Sequence, residues 1–241
     1  MQAAPLVLVP GLMCDATVWA PLRPALDAVA RCQVVDHVTA DSLTQMAQQL
    51  LDAAPPTFAL AGHSMGGRVA LEVVRLAPQR VRGLALLDTG HLARAEGAAG
   101  DDEARKRHAL LEVARHEGVA AMARQWVQGM VHPARRDDRE LVDAIVAMFA
   151  RKTADIFEGQ IRALLNRPDA TPVLQGLRMP VLVLCGRQDS WAPPSQHEAL
   201  AALIPGQPPV QVIDDAGHMS TLEQPQAVAQ ALRAWLGRVA G

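Results

Sequence analysis

The chain has 241 residues, of which 50% are hydrophobic and 20% are charged, and its formal net charge is −2. This length suits one α/β domain with a single core, and the near-neutral charge argues against nucleic acid or an anionic membrane surface as a partner. The absence of tyrosine argues against an aromatic platform for stacking bases. No apolar stretch approaches the roughly 20 residues of a membrane span. Three cysteines without metal-like spacing favour reduced thiols in a cytoplasmic protein.

Apolar runs of strand length alternate with helical patterns along the chain. This alternation predicts a mostly parallel, doubly wound α/β sheet of about six strands. The predicted strands cover residues 6–9, 32–36, 58–61, 83–87, 180–185 and 210–213. The helical segments predicted between and after them cover residues 17–30, 42–53, 65–77, 193–204 and 221–240, and Pro21 and Pro24 interrupt the first.

Residues 91–176 differ in character from the rest of the chain. Residues 91–177 hold 13 of the 23 Lys and Arg residues and 13 of the 25 Asp and Glu residues, and no strand-like run occurs among them. Apolar periodicity predicts helices at residues 101–116, 119–127, 139–152 and 153–165. We therefore expect a core formed by residues 1–90 and 177–241, with a helical insertion at residues 91–176 between two strands.

The third predicted strand runs into Gly62-His63-Ser64-Met65-Gly66, and a helical pattern follows at once. This arrangement predicts that Ser64 lies at the apex of a sharp turn, with its hydroxyl above the sheet. Glycines flank the serine because the neighbouring chain would pass too close for a Cβ atom. A glycine-rich structural turn is the alternative interpretation. The stretch resembles the nucleophile elbow of the α/β-hydrolase family, in which GHSMGG is a frequent form.

A nucleophilic serine needs a base that takes its proton and an acid that orients the base. In the resembled family the chain order is Ser, acid, His, and Asp189 and His218 follow Ser64 in that order. All three follow predicted strands, and the carboxyl ends of parallel strands share one edge of the sheet. Asp88, at the end of the fourth predicted strand, is the second candidate for the acid.

The first predicted strand ends in Pro10-Gly11-Leu12-Met13. The resemblance implies that the backbone N–H groups of Leu12 and Met65 stabilise an oxyanion. It also implies that the helical insertion is the family's cap, and that the sheet lacks the family's first hairpin. Pro10 stands where the family most often has a histidine.

Five side chains are candidates for substrate binding. Arg68, one helical turn after Ser64, is either a carboxylate-binding arginine or an ordinary surface arginine. A matching arginine occurs in relatives that act as lyases in menaquinone synthesis. The other four are apolar and equally compatible with core packing: Trp126, Met130, Trp191 and Met219. Further residues expected near the pocket are His63, His91 and His132, and Cys14, which we interpret as a small buried hydrophobe rather than a reactive thiol.

These features predict a small, capped α/β-hydrolase with the chemistry of a serine carboxylesterase. Its substrate would be a small carboxylic ester, or a related thioester or lactone, cleaved through an acyl-enzyme without a cofactor or metal ion. A lyase or C–C bond hydrolase that uses the same three residues is the first alternative, and a non-catalytic small-molecule-binding protein is the second. The sequence does not specify the oligomeric state and leaves a homo-oligomer open.

Overall fold

The computed structural model describes residues 5–37 and 39–240. Within this part of the chain the strands are β1 Pro5–Val9, β2 Arg31–Val34, β3 Phe58–His63, β4 Val81–Leu87, β5 Val181–Gly186 and β6 Val210–Ile213. They form one sheet in the order β2-β1-β3-β4-β5-β6, and every neighbouring pair is parallel. The predicted parallel sheet of about six strands is therefore confirmed, and no described strand precedes β1.

Helices flank this sheet in two groups. Those of the sheet region are α1 Arg23–Asp27, α2 Leu43–Ala53, α3 Met65–Leu76, α9 Pro194–Ala202, α10 Ser220–Glu223 and α11 Pro225–Ala240. Helix α1 packs with α11, and α2 packs with α3, which also contacts β1, β3 and β4. Every residue of β3 and β5 is buried, as expected of central strands covered on both faces. The carboxyl ends of β3, β4 and β5 consequently form a rigid edge from which loops emerge.

Prolines interrupt helical structure at two places. The segment predicted as an interrupted helical stretch over residues 17–30 consists of two 3-10 turns followed by the five-residue α1. Pro21 and Pro24 lie within it and lack the N–H groups that a continuous helix would use. The helix predicted over residues 221–240 is divided into α10 and α11 at Gln224, whose backbone leaves the helical region directly before Pro225.

All regular secondary structure described between β4 and β5 is helical. Its helices are α4 Gly97–His116, α5 Val119–Trp126, α6 Arg139–Ala150, α7 Ala154–Leu165 and α8 Thr171–Gly176. The first four match the predicted helices, whereas the short α8 was not predicted. Ion pairs join this insertion to the loop between β2 and α2, namely Lys152 with Asp36 at 2.9 Å and Arg162 with Asp41 at 2.8 Å. Of the helices described, none combines the length and apolarity needed to cross a membrane.

Candidate active site

Ser64 occupies the turn between β3 and α3, with a positive φ of 56°. This is a strained conformation for a residue other than glycine. A Cβ atom at Gly62 would lie 2.2 Å from the carbonyl oxygen of Gly66, and one at Gly66 would lie 2.1 Å from that of Val9. Both contacts involve backbone that cannot move aside, so this close packing is what requires glycine on each side of Ser64.

Three side chains from separate loops form one hydrogen-bonded chain at the carboxyl edge of the sheet. His218 Nε2 lies 2.8 Å from Ser64 Oγ, and its Nδ1 lies 2.8 Å from Asp189 Oδ2. The other carboxylate oxygen, Asp189 Oδ1, accepts hydrogen bonds from the backbone N–H groups of Trp191 at 2.9 Å and Ala192 at 3.0 Å. The carboxylate is thereby fixed, and it orients the imidazole so that Nε2 faces the serine hydroxyl.

The pKa values of Asp189 and His218 favour an ionised carboxylate and a basic imidazole. Burial acts to raise the pKa of Asp189, but the charge and hydrogen bond of His218, together with the two backbone donors, hold it below its usual value. Burial acts to lower the pKa of His218, but the charge and hydrogen bond of Asp189 outweigh it and raise the pKa. Such an imidazole can take a proton from a hydroxyl and then share the resulting charge with the carboxylate.

Asp88, the second candidate for the acid, has other partners. It is fully buried, its Oδ1 accepts the backbone N–H of Gly186 at 2.8 Å, and its Oδ2 accepts the hydroxyl of Ser220. Burial, followed by the nearby charge of Asp189, raises the pKa of Asp88 well above its usual range. The Nδ1 atom of His218 contacts Asp189 instead. The structure thus separates the two carboxyl groups into different hydrogen-bond networks.

The histidine next to the serine supports the His218 loop. His63 Nε2 donates a hydrogen bond to the carbonyl oxygen of His218 at 2.8 Å. Burial, and then the charge of His218, lower the pKa of His63 to about 4, so its imidazole is neutral. His63 lines the cavity above Ser64, whereas His91 and His132 do not.

Leu12 and Met65, the two predicted oxyanion-hole residues, both line the same cavity as Ser64. Leu12 lies in the turn after β1 and Met65 is the first residue of α3, and the N–H group of neither donates to another residue in the described part of the chain. A hydrogen bond joins the turn after β1 to the insertion. Met13, with a φ of 61°, donates its N–H to the buried side chain of Gln160 on α7 at 2.8 Å. Sequence patterns gave no indication of this contact, which joins residues 147 positions apart.

The cavity has a volume of about 130 Å³. All five predicted substrate-binding residues line it together with Ser64 and His218, namely Arg68, Trp126, Met130, Trp191 and Met219. The rings of Trp126 and Trp191 are stacked with their centroids 5.5 Å apart, and Trp191 lies 4.9 Å from the His218 ring. Arg107 of α4 and Gln196 of α9 also line the cavity and were not predicted.

Cys14 lies in the cavity wall as a free, buried thiol. Burial, with a further contribution from the charge of Asp15, raises the pKa of Cys14 to about 12. The group therefore remains protonated at neutral pH, and a thiolate nucleophile is disfavoured here.

Residues 32–225 match the family model for the alpha/beta hydrolase fold. The chain belongs to the α/β-hydrolase family. This confirms the resemblance drawn from the elbow sequence. Two relatives and one solved structure illustrate the range of proteins that the chain is similar to.

A pimeloyl-(acyl-carrier protein) methyl ester esterase from Photobacterium profundum is 28% identical over 247 residues, covering 96% of this chain and 94% of that protein. A 2-succinyl-6-hydroxy-2,4-cyclohexadiene-1-carboxylate synthase from Serratia proteamaculans is 30% identical over 182 residues, covering 73% of this chain and 67% of that protein. The structure of a thermophilic esterase from Thermogutta terrifontis superposes with a TM-score of 0.85 at 30% identity, covering 100% of this chain and 92% of that one.

Proposed function

We propose that the protein is a serine carboxylesterase, which hydrolyses a small carboxylic ester, or a related thioester or lactone, through an acyl-enzyme. The observation that carries this proposal is the unbroken hydrogen-bonded chain from Ser64 Oγ through His218 to Asp189, which opens into a cavity. The similarity to the methyl ester esterase from Photobacterium profundum and to the thermophilic esterase from Thermogutta terrifontis supports the same reaction class.

In the first half of the reaction Ser64 Oγ attacks the ester carbonyl carbon while His218 Nε2 takes the hydroxyl proton. The carbonyl oxygen becomes an oxyanion, and the N–H groups of Leu12 and Met65 stabilise it. Asp189 keeps the other ring nitrogen protonated and stabilises the imidazolium. His218 then gives its proton to the departing alcohol, and the acyl group stays bonded to Ser64.

In the second half a water molecule takes the place of the alcohol. His218 removes a proton from this water as its oxygen attacks the acyl carbon, and the same two amides stabilise the second oxyanion. Collapse of this intermediate releases the carboxylic acid, and the proton on His218 returns to Ser64 Oγ. The residues present supply every proton transfer, so this scheme uses no cofactor or metal ion.

The substrate binds in the cavity between the sheet edge and the insertion. Residues 91–176 act as a cap over the core formed by residues 1–90 and 177–241. The cap contributes Arg107, Trp126, Met130, Phe149 and Leu164 to the cavity wall. Arg68, Trp191 and Met219 contact the substrate from the core. The partner is a small molecule, and the free thiols are consistent with action in the cytoplasm.

The direct test replaces the nucleophile. We expect Ser64→Ala to lower kcat for p-nitrophenyl butyrate by at least about 10⁴-fold and to abolish labelling by a fluorophosphonate, because the acyl-enzyme forms on Ser64. Ser195→Ala, on the exposed side of α9, is the matched control and should keep both activities. A Ser64→Ala protein that hydrolyses the ester at the parent's rate would show the proposal to be wrong.

A second candidate is a lyase or C–C bond hydrolase that uses the same residues. It is favoured by the 30% identity to the synthase from Serratia proteamaculans. In that reaction Ser64 and His218 would mainly move protons. Comparing turnover of simple esters with that of vinylogous diketones separates the two, since only one substrate class should react at a useful rate. Tight binding of a ligand with turnover of neither class would indicate a non-catalytic binding protein.

A further inference from the structure

The cavity has two chemically different walls. Near His218 it is aromatic, because Trp191 and Trp126 stack there. Another part of the wall contains the basic residues Arg68 and Arg107. A neutral ester alone would leave this second wall without a partner, so the charges there bear on which ester the site accepts.

Positive charge on this wall exceeds the negative charge that could balance it. Glu103 pairs with Arg107 at 2.9 Å and, through both of its oxygens, with Arg167 at 2.7 and 2.8 Å. One carboxylate thus serves two guanidinium groups. Arg68 does not pair with Glu103. Within the described residues its side chain makes a single hydrogen bond, to the carbonyl oxygen of Leu92 at 2.8 Å. Burial is the main cause that lowers the pKa of Arg68 to about 9, and the charge of Arg167 adds to it.

Unpaired N–H groups lie beside this charge. Arg68 Nη2 and the side-chain amide of Gln196 both lie against the backbone of Gly90, where a Cβ atom would be 3.0 Å from the first and 2.1 Å from the second. Within residues 5–37 and 39–240 neither group has an acceptor. Because Arg68, Gly90 and Gln196 all line the cavity, a ligand bound there can accept hydrogen bonds from both donors.

We propose that Arg68, Arg107 and Gln196 form a carboxylate subsite, and that the preferred substrates are esters carrying a free carboxylate a few carbon atoms from the ester carbonyl. This inference rests on the proposed esterase function and names its substrate class. A guanidinium group matches a carboxylate in shape and charge, and the attraction is strong in a cavity shielded from water.

The position of Arg68 limits the length of the substrate. It lies four residues after Ser64 on α3, which corresponds to a rise of about 6 Å along the helix. The cavity volume of about 130 Å³ also admits only a short spacer. Half-esters of short dicarboxylic acids, such as monomethyl glutarate, meet both requirements because their two functional groups are separated by a few methylene groups.

The test compares two esters of nearly the same shape. Monomethyl glutarate carries the distal carboxylate, and methyl 5-methylhexanoate replaces its two oxygens by methyl groups. We expect kcat/KM of the parent enzyme, followed by pH-stat titration, to favour the charged ester by at least about tenfold, because one charge-assisted contact accounts for a factor of this size. Arg68→Met should lower this ratio by about 10- to 100-fold, mainly through a higher KM for the charged ester.

The matched control is Arg105→Met, since Arg105 lies on α4 beside Arg107 but is 69% exposed and pairs with Asp102 outside the cavity. It should leave the ratio unchanged. A parent ratio near one, or equal losses for both esters in Arg68→Met, would overturn the carboxylate subsite.

A binding measurement separates failure of this inference from failure of the esterase proposal. Calorimetry with glutarate needs no turnover, and we expect the parent protein to bind it at least about tenfold more tightly than Arg68→Met does. Binding of this kind by a protein that hydrolyses no ester would support the subsite and reject the esterase function. Hydrolysis of neutral esters without glutarate binding would support the esterase function and reject the carboxylate subsite.

Discussion

Replacing Asp189 by asparagine tests the proposed roles of the acid and the base together. Asp189 Oδ1 accepts two backbone N–H groups, from Trp191 and Ala192, so the oxygen of the asparagine amide has to occupy that position. Its NH₂ group then points at Nδ1 of His218, which can only accept. The ring proton moves to Nε2, 2.8 Å from Ser64 Oγ, and the lone pair that should receive the serine proton is lost.

We therefore expect Asp189→Asn to lower kcat by about 10⁴-fold, the size of loss that follows from a wrong tautomer in such an arrangement. KM should change little because Asp189 does not line the cavity. Steady-state hydrolysis of p-nitrophenyl butyrate over a range of pH, with circular dichroism to verify folding, measures both quantities. Asp214→Asn is the control, since that side chain is 71% exposed and pairs with Arg187. A folded Asp189→Asn protein with kcat within tenfold of the parent at every pH would refute the reasoning.

Three further outcomes follow from the same geometry. Because His218 acts as a base only when neutral and its pKa is raised, kcat/KM should rise with pH through a midpoint above the usual histidine value of about 6.5, measured with a neutral ester. Gln160→Leu should lower the free energy of unfolding by about 1–3 kcal/mol in urea denaturation, since it leaves the Met13 N–H buried and unpaired, and should also lower kcat. Gly66→Ala should destabilise the protein by at least about 3 kcal/mol, because the new Cβ would meet backbone oxygen at 2.1 Å. Gly176→Ala, where nothing lies within 4 Å, should change stability by less than about 0.5 kcal/mol.

The parts of the site that lie at strand ends were accessible from the sequence. Ser64, Asp189 and His218 each follow an apolar run, and parallel strands bring their carboxyl ends to one edge. Together with the chain order of the resembled family, this made them the candidates for nucleophile, acid and base. Leu12 was carried over by position from the resembled family. Asp88 also lies at a strand end, and only the coordinates show that Asp189 is the carboxylate in contact with the imidazole.

Residues contributed by helices were not accessible in the same way. Arg107, Gln160 and Gln196 lie on helices whose periodicity shows which residues share a face but not which other element that face will meet. Gln160 is 2% exposed although its residue type is usually found at the surface. Its partner is a backbone N–H at the other end of the chain, and no side-chain pattern records such a contact.

The insertion supplies hydrogen-bond acceptors for two of the loops around Ser64. Met130 accepts the backbone N–H of His218 at 2.6 Å, and Gln160 accepts that of Met13 at 2.8 Å. A protein engineer who exchanged this segment for that of a relative, to alter selectivity, would also exchange two supports of the machinery beneath it. Chimeras should therefore carry over the carbonyl at position 130 and an amide oxygen at position 160, or slow turnover will be mistaken for poor substrate fit.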